Sequence, residues 1–93
     1  MNQGEIEQSL IAMLKELQAG AGESAQEVTP ATIPLKDLGF FDSLLALETT
    51  ITLEERFGTS FNADSVFSDK DSDEPLSVSQ IAERIVKVQR AGV

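Results

Sequence analysis

Residues 38–58 read LGFFDSLLALETTITLEERFG, and the structure of this stretch decides the fold. Taken alone, it is ambiguous, because residues 47, 49, 51 and 53 (Leu, Thr, Ile, Leu) alternate with more polar residues at 48, 50, 52 and 54, and this period of two in a stretch rich in β-branched residues is typical of a strand. However, an Asp-Ser pair precedes the apolar run and Gly58 follows it, which are the start and stop signals of a helix. We therefore predict a helix over residues 43–57.

Helical patterns also occur on both sides of this stretch. Residues 5–18 carry apolar side chains at steps of three and four, and residues 77–90 begin with SVSQ, which matches a capping box. Residues 62–67 predict a short helix, whereas residues 20–37 contain two prolines and predict a loop that lies across the core. The sequence thus predicts one all-α domain over residues 1–93, an antiparallel bundle of three main helices with a short one between the second and the last.

The composition limits the chemistry that this chain can perform. It contains no Cys and no His, which excludes a disulfide framework, a thiolate zinc site and a histidine base. Sixteen acidic residues against seven basic ones give a net charge of -9, which favours a protein partner with basic patches over nucleic acid. We therefore expect a protein that is not an enzyme on its own.

The location is predicted from what the sequence lacks. It has no apolar run near the roughly 20 residues of a membrane helix, and its first residues do not resemble a signal peptide. We expect a cytoplasmic protein without membrane insertion.

The acidic loop that precedes the last helix is a weak candidate for calcium binding. Asp69, Asp71 and Asp73 have the alternating spacing that begins a calcium-binding loop. Glu74, however, stands at the sixth position, where glycine is needed, and Gln80 at the twelfth, where a bidentate glutamate is needed. We predict a solvated loop and no metal site.

Ser43 has two compatible interpretations. Its place at the start of an apolar helical run indicates a helix N-cap. In addition, residues 38–58 resemble the centre of an acyl or peptidyl carrier protein, whose hallmark is a Gly followed by Asp-Ser-Leu at the start of the second helix. The resemblance extends to the acidic end of that helix and to the last helix.

This resemblance implies a cofactor and a set of partners. Ser43 would carry 4'-phosphopantetheine, which a separate phosphopantetheinyl transferase takes from coenzyme A, and Asp42 would help that transferase to recognise the site. Partner enzymes would be a ligase that loads acyl or aminoacyl groups, and downstream acyl-using enzymes with basic patches. The carrier itself would be a monomer. The implied partner face consists of Leu44, Leu47, Glu48, Ile51, Glu54 and Glu55.

Two questions stay open at this point. Phe40 and Phe41 place two residues between Gly39 and Asp42, a spacing that resembles D-alanyl and other aminoacyl carriers more than the carriers of fatty acid synthesis. The alternative function is an unmodified acidic helical adaptor that binds a basic protein, with Ser43 only capping the helix.

Overall fold

The computed structural model describes residues 2–22, 27–61, 65–69, 72 and 74–91; of residues 90 and 91 it describes the backbone alone. The described residues form four helices, which are α1 (Gln3–Gly20), α2 (Pro34–Asp37), α3 (Ser43–Phe57) and α4 (Val78–Ala91). No strand occurs in the described ranges, where an isolated bridge joins Ser68 to Pro75. The predicted small all-α bundle is confirmed, and so is the helix over residues 43–57.

Capping residues mark the start of α1 and the end of α3. Asn2 caps α1, since its side chain accepts from the amide of Glu5 while the Glu5 carboxylate accepts from the Asn2 amide. This box starts α1 two residues earlier than predicted. At the C-terminus of α3, Gly58 has a φ of 62°, a left-handed conformation that glycine adopts without steric cost.

The box predicted at the start of α4 is present. The Ser77 hydroxyl accepts from the Gln80 amide at 3.2 Å, and the Gln80 side chain accepts from the Ser77 amide at 2.9 Å. Two donors that a helix start leaves unpaired are thereby satisfied.

The core lies where α1 packs against α4, with α3 contributing to the same cluster. About half of its buried apolar side chains come from α1 and α4, and Ala46 and Leu53 add the buried side of α3. The largest side chains that are almost completely buried are Phe67, Ile6, Leu10, Leu14, Leu38, Leu53, Ile81 and Ile85. These side chains come from α1, α3, α4 and the segments between them, so distant parts of the sequence share one core.

The loop between α1 and α3 lies across the core, as predicted. Val28 and Thr32 are buried, and the carbonyls of Pro30 and Thr32 accept from the amides of Ser79 and Val78. The loop therefore satisfies two more backbone donors at the start of α4. It also contains α2, which the sequence interpretation missed because a single turn that begins with proline has no apolar period to reveal it.

The short helix predicted over residues 62–67 falls partly on 62–64, which lie outside the described residues. Val66 and Phe67 form a turn, and both side chains are fully buried. Beyond this turn, the Leu76 amide donates to the Phe67 carbonyl at 2.9 Å and closes the base of the acidic loop. Within the described ranges, no helix has both the length and the apolarity needed to cross a bilayer.

The burial pattern predicts that alanine substitutions at two leucines lower the free energy of unfolding by very different amounts. Leu10→Ala should lower the free energy of unfolding by about 2–5 kcal/mol, because it opens a cavity in the core. Leu44→Ala should change it by less than about 0.5 kcal/mol, because 65% of that side chain is exposed. Urea unfolding followed by circular dichroism measures both values, and equal losses would contradict the packing described here.

Candidate functional site

The turn before α3 is anchored in the core by an aromatic contact. Phe41 is 2% exposed, and its ring meets that of Phe67 edge-on, with 4.8 Å between ring centroids. Phe40 is half-buried and packs edge-on against Phe41 at 6.2 Å. The two phenylalanines therefore fix the chain immediately before Asp42 and Ser43.

Asp42 caps α3. Its backbone is extended, with φ -103° and ψ 179°, and its Oδ1 accepts from the Leu45 amide at 2.8 Å. Its carbonyl accepts the first intrahelical bond, from the Ala46 amide at 2.9 Å. The prediction that Ser43 is the N-cap is wrong, because Ser43 already belongs to the helix and the residue before it has the extended backbone that a cap requires.

The Ser43 side chain is exposed, and within the described part of the chain its hydroxyl makes no hydrogen bond. The other described serines are placed differently. Ser65, Ser72 and Ser77 accept backbone amides, Ser60 has a partner, and Ser9, Ser68 and Ser79 are half-buried. Among the serines that the structure describes, Ser43 combines an exposed position with an unengaged hydroxyl.

The first turn of α3 also has backbone donors to offer. Asp42 satisfies the Leu45 amide, whereas the amides of Ser43 and Leu44 have no hydrogen-bond partner among the described residues. Such donors, together with the positive end of the helix dipole, favour an anion. An anionic group attached to the Ser43 oxygen would therefore lie in a favourable field.

The two sides of α3 have different environments. Ala46, Thr49, Thr50 and Leu53 are buried, whereas Leu44, Leu47 and Ile51 are 65%, 44% and 57% exposed. The exposed three run from the site along one side of the helix, and we call them the apolar face of α3. A contiguous set of large exposed side chains is typical of an interaction surface.

The acidic residues near the apolar face do not behave alike. Glu48 and Glu55 are exposed. Glu54 is half-buried, and its carboxylate accepts from the Phe61 amide at 2.9 Å. Of the three glutamates predicted for partner binding, Glu54 therefore also holds the chain that follows α3.

Thr50 is a residue that sequence analysis missed. Its hydroxyl donates to the Ala46 carbonyl at 2.7 Å and accepts from the Val66 amide at 3.2 Å. Because Thr50 is buried, these two bonds satisfy a hydroxyl that would otherwise be costly in the core. The signal that could have revealed it is a threonine on the buried stripe of an amphipathic helix.

The calcium motif finds no support in the described residues. Asp71 and Asp73 lie outside them, and the Asp69 carboxylate accepts from the Ser72 amide at 3.2 Å within its own loop. No group of three or more His, Cys, Asp or Glu side chains suited to a metal ion occurs in the part that the structure describes.

Comparison with known families assigns the chain to a class. A family model described as "Phosphopantetheine attachment site" matches residues 11–72, about two thirds of the 93 residues. The chain therefore belongs to the phosphopantetheine-binding family, as its sequence suggested, and the cofactor of this domain is covalently attached 4'-phosphopantetheine. No curated protein and no solved structure matches the chain.

Membership of this family also defines a general role. Carrier domains of this kind are generally non-catalytic, and they interact with a transferase and with acyl-handling enzymes. The matched residues include all of α3 and its N-terminal turn, whereas α4 lies beyond them. The structure shows that α4 nevertheless completes the core of the domain.

The capping geometry predicts different costs for two neighbouring substitutions. Asp42→Ala should lower the free energy of unfolding by about 1 kcal/mol, because it removes the acceptor of the Leu45 amide. Ser43→Ala should change it by less than about 0.5 kcal/mol. Both values follow from urea unfolding of the unmodified protein, with Asp42→Asn, which keeps an acceptor, as the control. A larger loss for Ser43→Ala would mean that Ser43 is the cap after all.

Proposed function

We propose that this protein is a carrier that tethers acyl or aminoacyl groups on a 4'-phosphopantetheine arm attached to Ser43. The observation that carries the proposal is the exposed, unengaged Ser43 hydroxyl at the first turn of α3, in a chain that belongs to the phosphopantetheine-binding family. Ser24 lies within the matched residues but outside the described ones, so a Ser24→Ala variant is needed as a control.

The residues around Ser43 fit such an arm. The phosphodiester of the arm would lie beside the amides of Ser43 and Leu44, and the Asp42 carboxylate is already occupied by the Leu45 amide. When bound, the arm supplies a thiol that holds cargo as a thioester, which a chain without cysteine cannot do with its own side chains. We expect a separate transferase to supply the base that removes the hydroxyl proton, because no described side chain of this protein hydrogen-bonds to the Ser43 hydroxyl.

The apolar face of α3 suits the docking of that transferase and of the enzymes that load and use the cargo. It starts next to Ser43, and the exposed carboxylates of Glu48 and Glu55 lie on the same helix. An apolar centre with charged surroundings is typical of a docking surface, and the net charge of -9 favours enzymes with basic patches.

The cargo class is inferred from the turn before the site. Phe40 and Phe41 give the two-residue spacing that resembles aminoacyl carriers, and Phe41 is anchored on Phe67 rather than looped out. The additional residue is thus part of a fixed turn. We expect aminoacyl or specialised acyl groups in preference to those of bulk fatty acid synthesis.

The attachment itself is tested by intact mass. After incubation with coenzyme A, magnesium and a broad-specificity phosphopantetheinyl transferase, the parent protein should gain one phosphopantetheine group. Ser43→Ala should gain none, because it lacks the oxygen that receives the group. Ser24→Ala and Ser60→Ala are the matched controls and should be modified like the parent.

An established carrier modified in the same reaction shows that the transferase is active. With that control working, an unmodified parent that is folded by circular dichroism would favour the acidic adaptor. A Ser43→Ala variant that still gains the group would move the site elsewhere.

The docking role of α3 is tested by adding one negative charge. Ile51→Glu should raise the KM of the transferase for the carrier at least about tenfold, because hot-spot residues near the centre of an interface contribute about 2 kcal/mol or more, and about 1.4 kcal/mol corresponds to a factor of ten. Ala12→Glu adds the same charge to an exposed position of α1 and should leave KM unchanged. Equal effects of the two substitutions would show that net charge matters and the apolar face does not.

A further inference from the structure

Arg84 links α4 to the segment that follows α3. The side chain is half-buried, and its Nη1 donates to the carbonyl of Ser65 at 3.1 Å and to that of Ser68 at 2.7 Å. Hydrogen bonds from a guanidinium are charge-assisted and stronger than neutral ones. One cation therefore fixes both ends of residues 65–68, which we call the 65–68 segment.

The same segment is also held by α3. The Val66 amide donates to the Thr50 hydroxyl at 3.2 Å, and the side chains of Val66 and Phe67 are fully buried. The segment thus has a fixed position between the two helices. It lies outside regular helix, so these side-chain bonds replace the backbone ladder that would otherwise hold it.

Phe67 carries this constraint to the candidate site. Its ring packs on that of Phe41 at 4.8 Å, and Phe41 immediately precedes the Asp42 cap and Ser43. A continuous series of contacts therefore runs from Arg84 through Phe67 and Phe41 to the first turn of α3.

We propose that Arg84 is a positioning residue for the attachment site. By fixing the 65–68 segment, it holds Phe67 under Phe41 and so keeps the Asp42 cap and the Ser43 hydroxyl in the orientation that the transferase recognises. This inference rests on the proposed role of Ser43. Arg84 itself lies on a different helix and does not need to touch the cofactor or the transferase.

Lys87 provides the matched control, because it is the next cation along α4. Its ammonium forms an ion pair with Glu83 at 3.1 Å, and the two side chains are 73% and 54% exposed. Exposed pairs of this kind contribute little to stability. Lys87→Met therefore removes a positive charge from the same helix without touching the 65–68 segment.

Amide hydrogen exchange of the unmodified full-length protein tests the positioning. Arg84→Met should accelerate exchange of the Val66 and Leu45 amides at least about fivefold more than that of core amides in α1. The reason is that losing the Arg84 bonds makes local opening around these amides easier, whereas global unfolding stays equally rare. Lys87→Met should leave these amides unchanged, and Arg84→Lys, which keeps a donor, should fall between parent and Arg84→Met. Uniform acceleration of all amides, or none, would overturn the proposal.

Transferase kinetics test the consequence for Ser43. At a temperature where each variant is folded by circular dichroism, Arg84→Met should lower kcat/KM for the carrier about fivefold or more, and Lys87→Met should not. Phe67→Leu should lower it as well, and the double variant should lose less than the product of the two effects, because both act through the same contacts.

Hydrogen exchange and transferase kinetics together distinguish failure of the positioning role of Arg84 from failure of the proposed function of Ser43. An unmodified parent, beside an established carrier that is modified, contradicts the function of Ser43, whereas the exchange data still decide whether Arg84 fixes the first turn of α3. A modified parent with equal kcat/KM values for Arg84→Met and Lys87→Met contradicts the positioning role alone.

Discussion

The hydrogen bond from the Leu45 amide to the Asp42 carboxylate decides how the site is built. Because Asp42 caps α3, Ser43 enters the helix as its first residue and its hydroxyl is not used for capping. The amides of Ser43 and Leu44 are left without partners in the described chain, at the positive end of a long helix. An acceptor oxygen and a favourable environment for an anion thus result from one capping bond.

That bond requires a fixed turn before it, and the core supplies one. Phe41 packs on Phe67, and the segment that carries Phe67 is held by hydrogen bonds to Thr50 and Arg84. The opposite end of the bundle is joined in a similar way, since the loop after α1 accepts the first amides of α4. In a chain of 93 residues with a net charge of -9, such polar connections supplement a small apolar core.

The positions of the long helices could be predicted from the sequence, because they depend on apolar period and capping residues. Features that depend on contacts between distant residues could not. Apolar steps of three and four identified α1, start and stop signals identified α3, and SVSQ identified the box at Ser77 that begins α4. The cap of α3 was assigned one residue late, because Asp and Ser are both good caps and only the backbone angles distinguish them. Arg84 could not be recognised, because its acceptors are carbonyls sixteen and nineteen residues away.

The family match establishes the cofactor, and the structure explains why Ser43 is its candidate acceptor. The most direct test is to locate the group by fragmentation mass spectrometry of peptides from the modified protein. We predict that the phosphopantetheine group is found on Ser43 alone. A group on Ser24, on Ser60 or on any other side chain would contradict the account, because the capping geometry of α3 would then have no part in attachment.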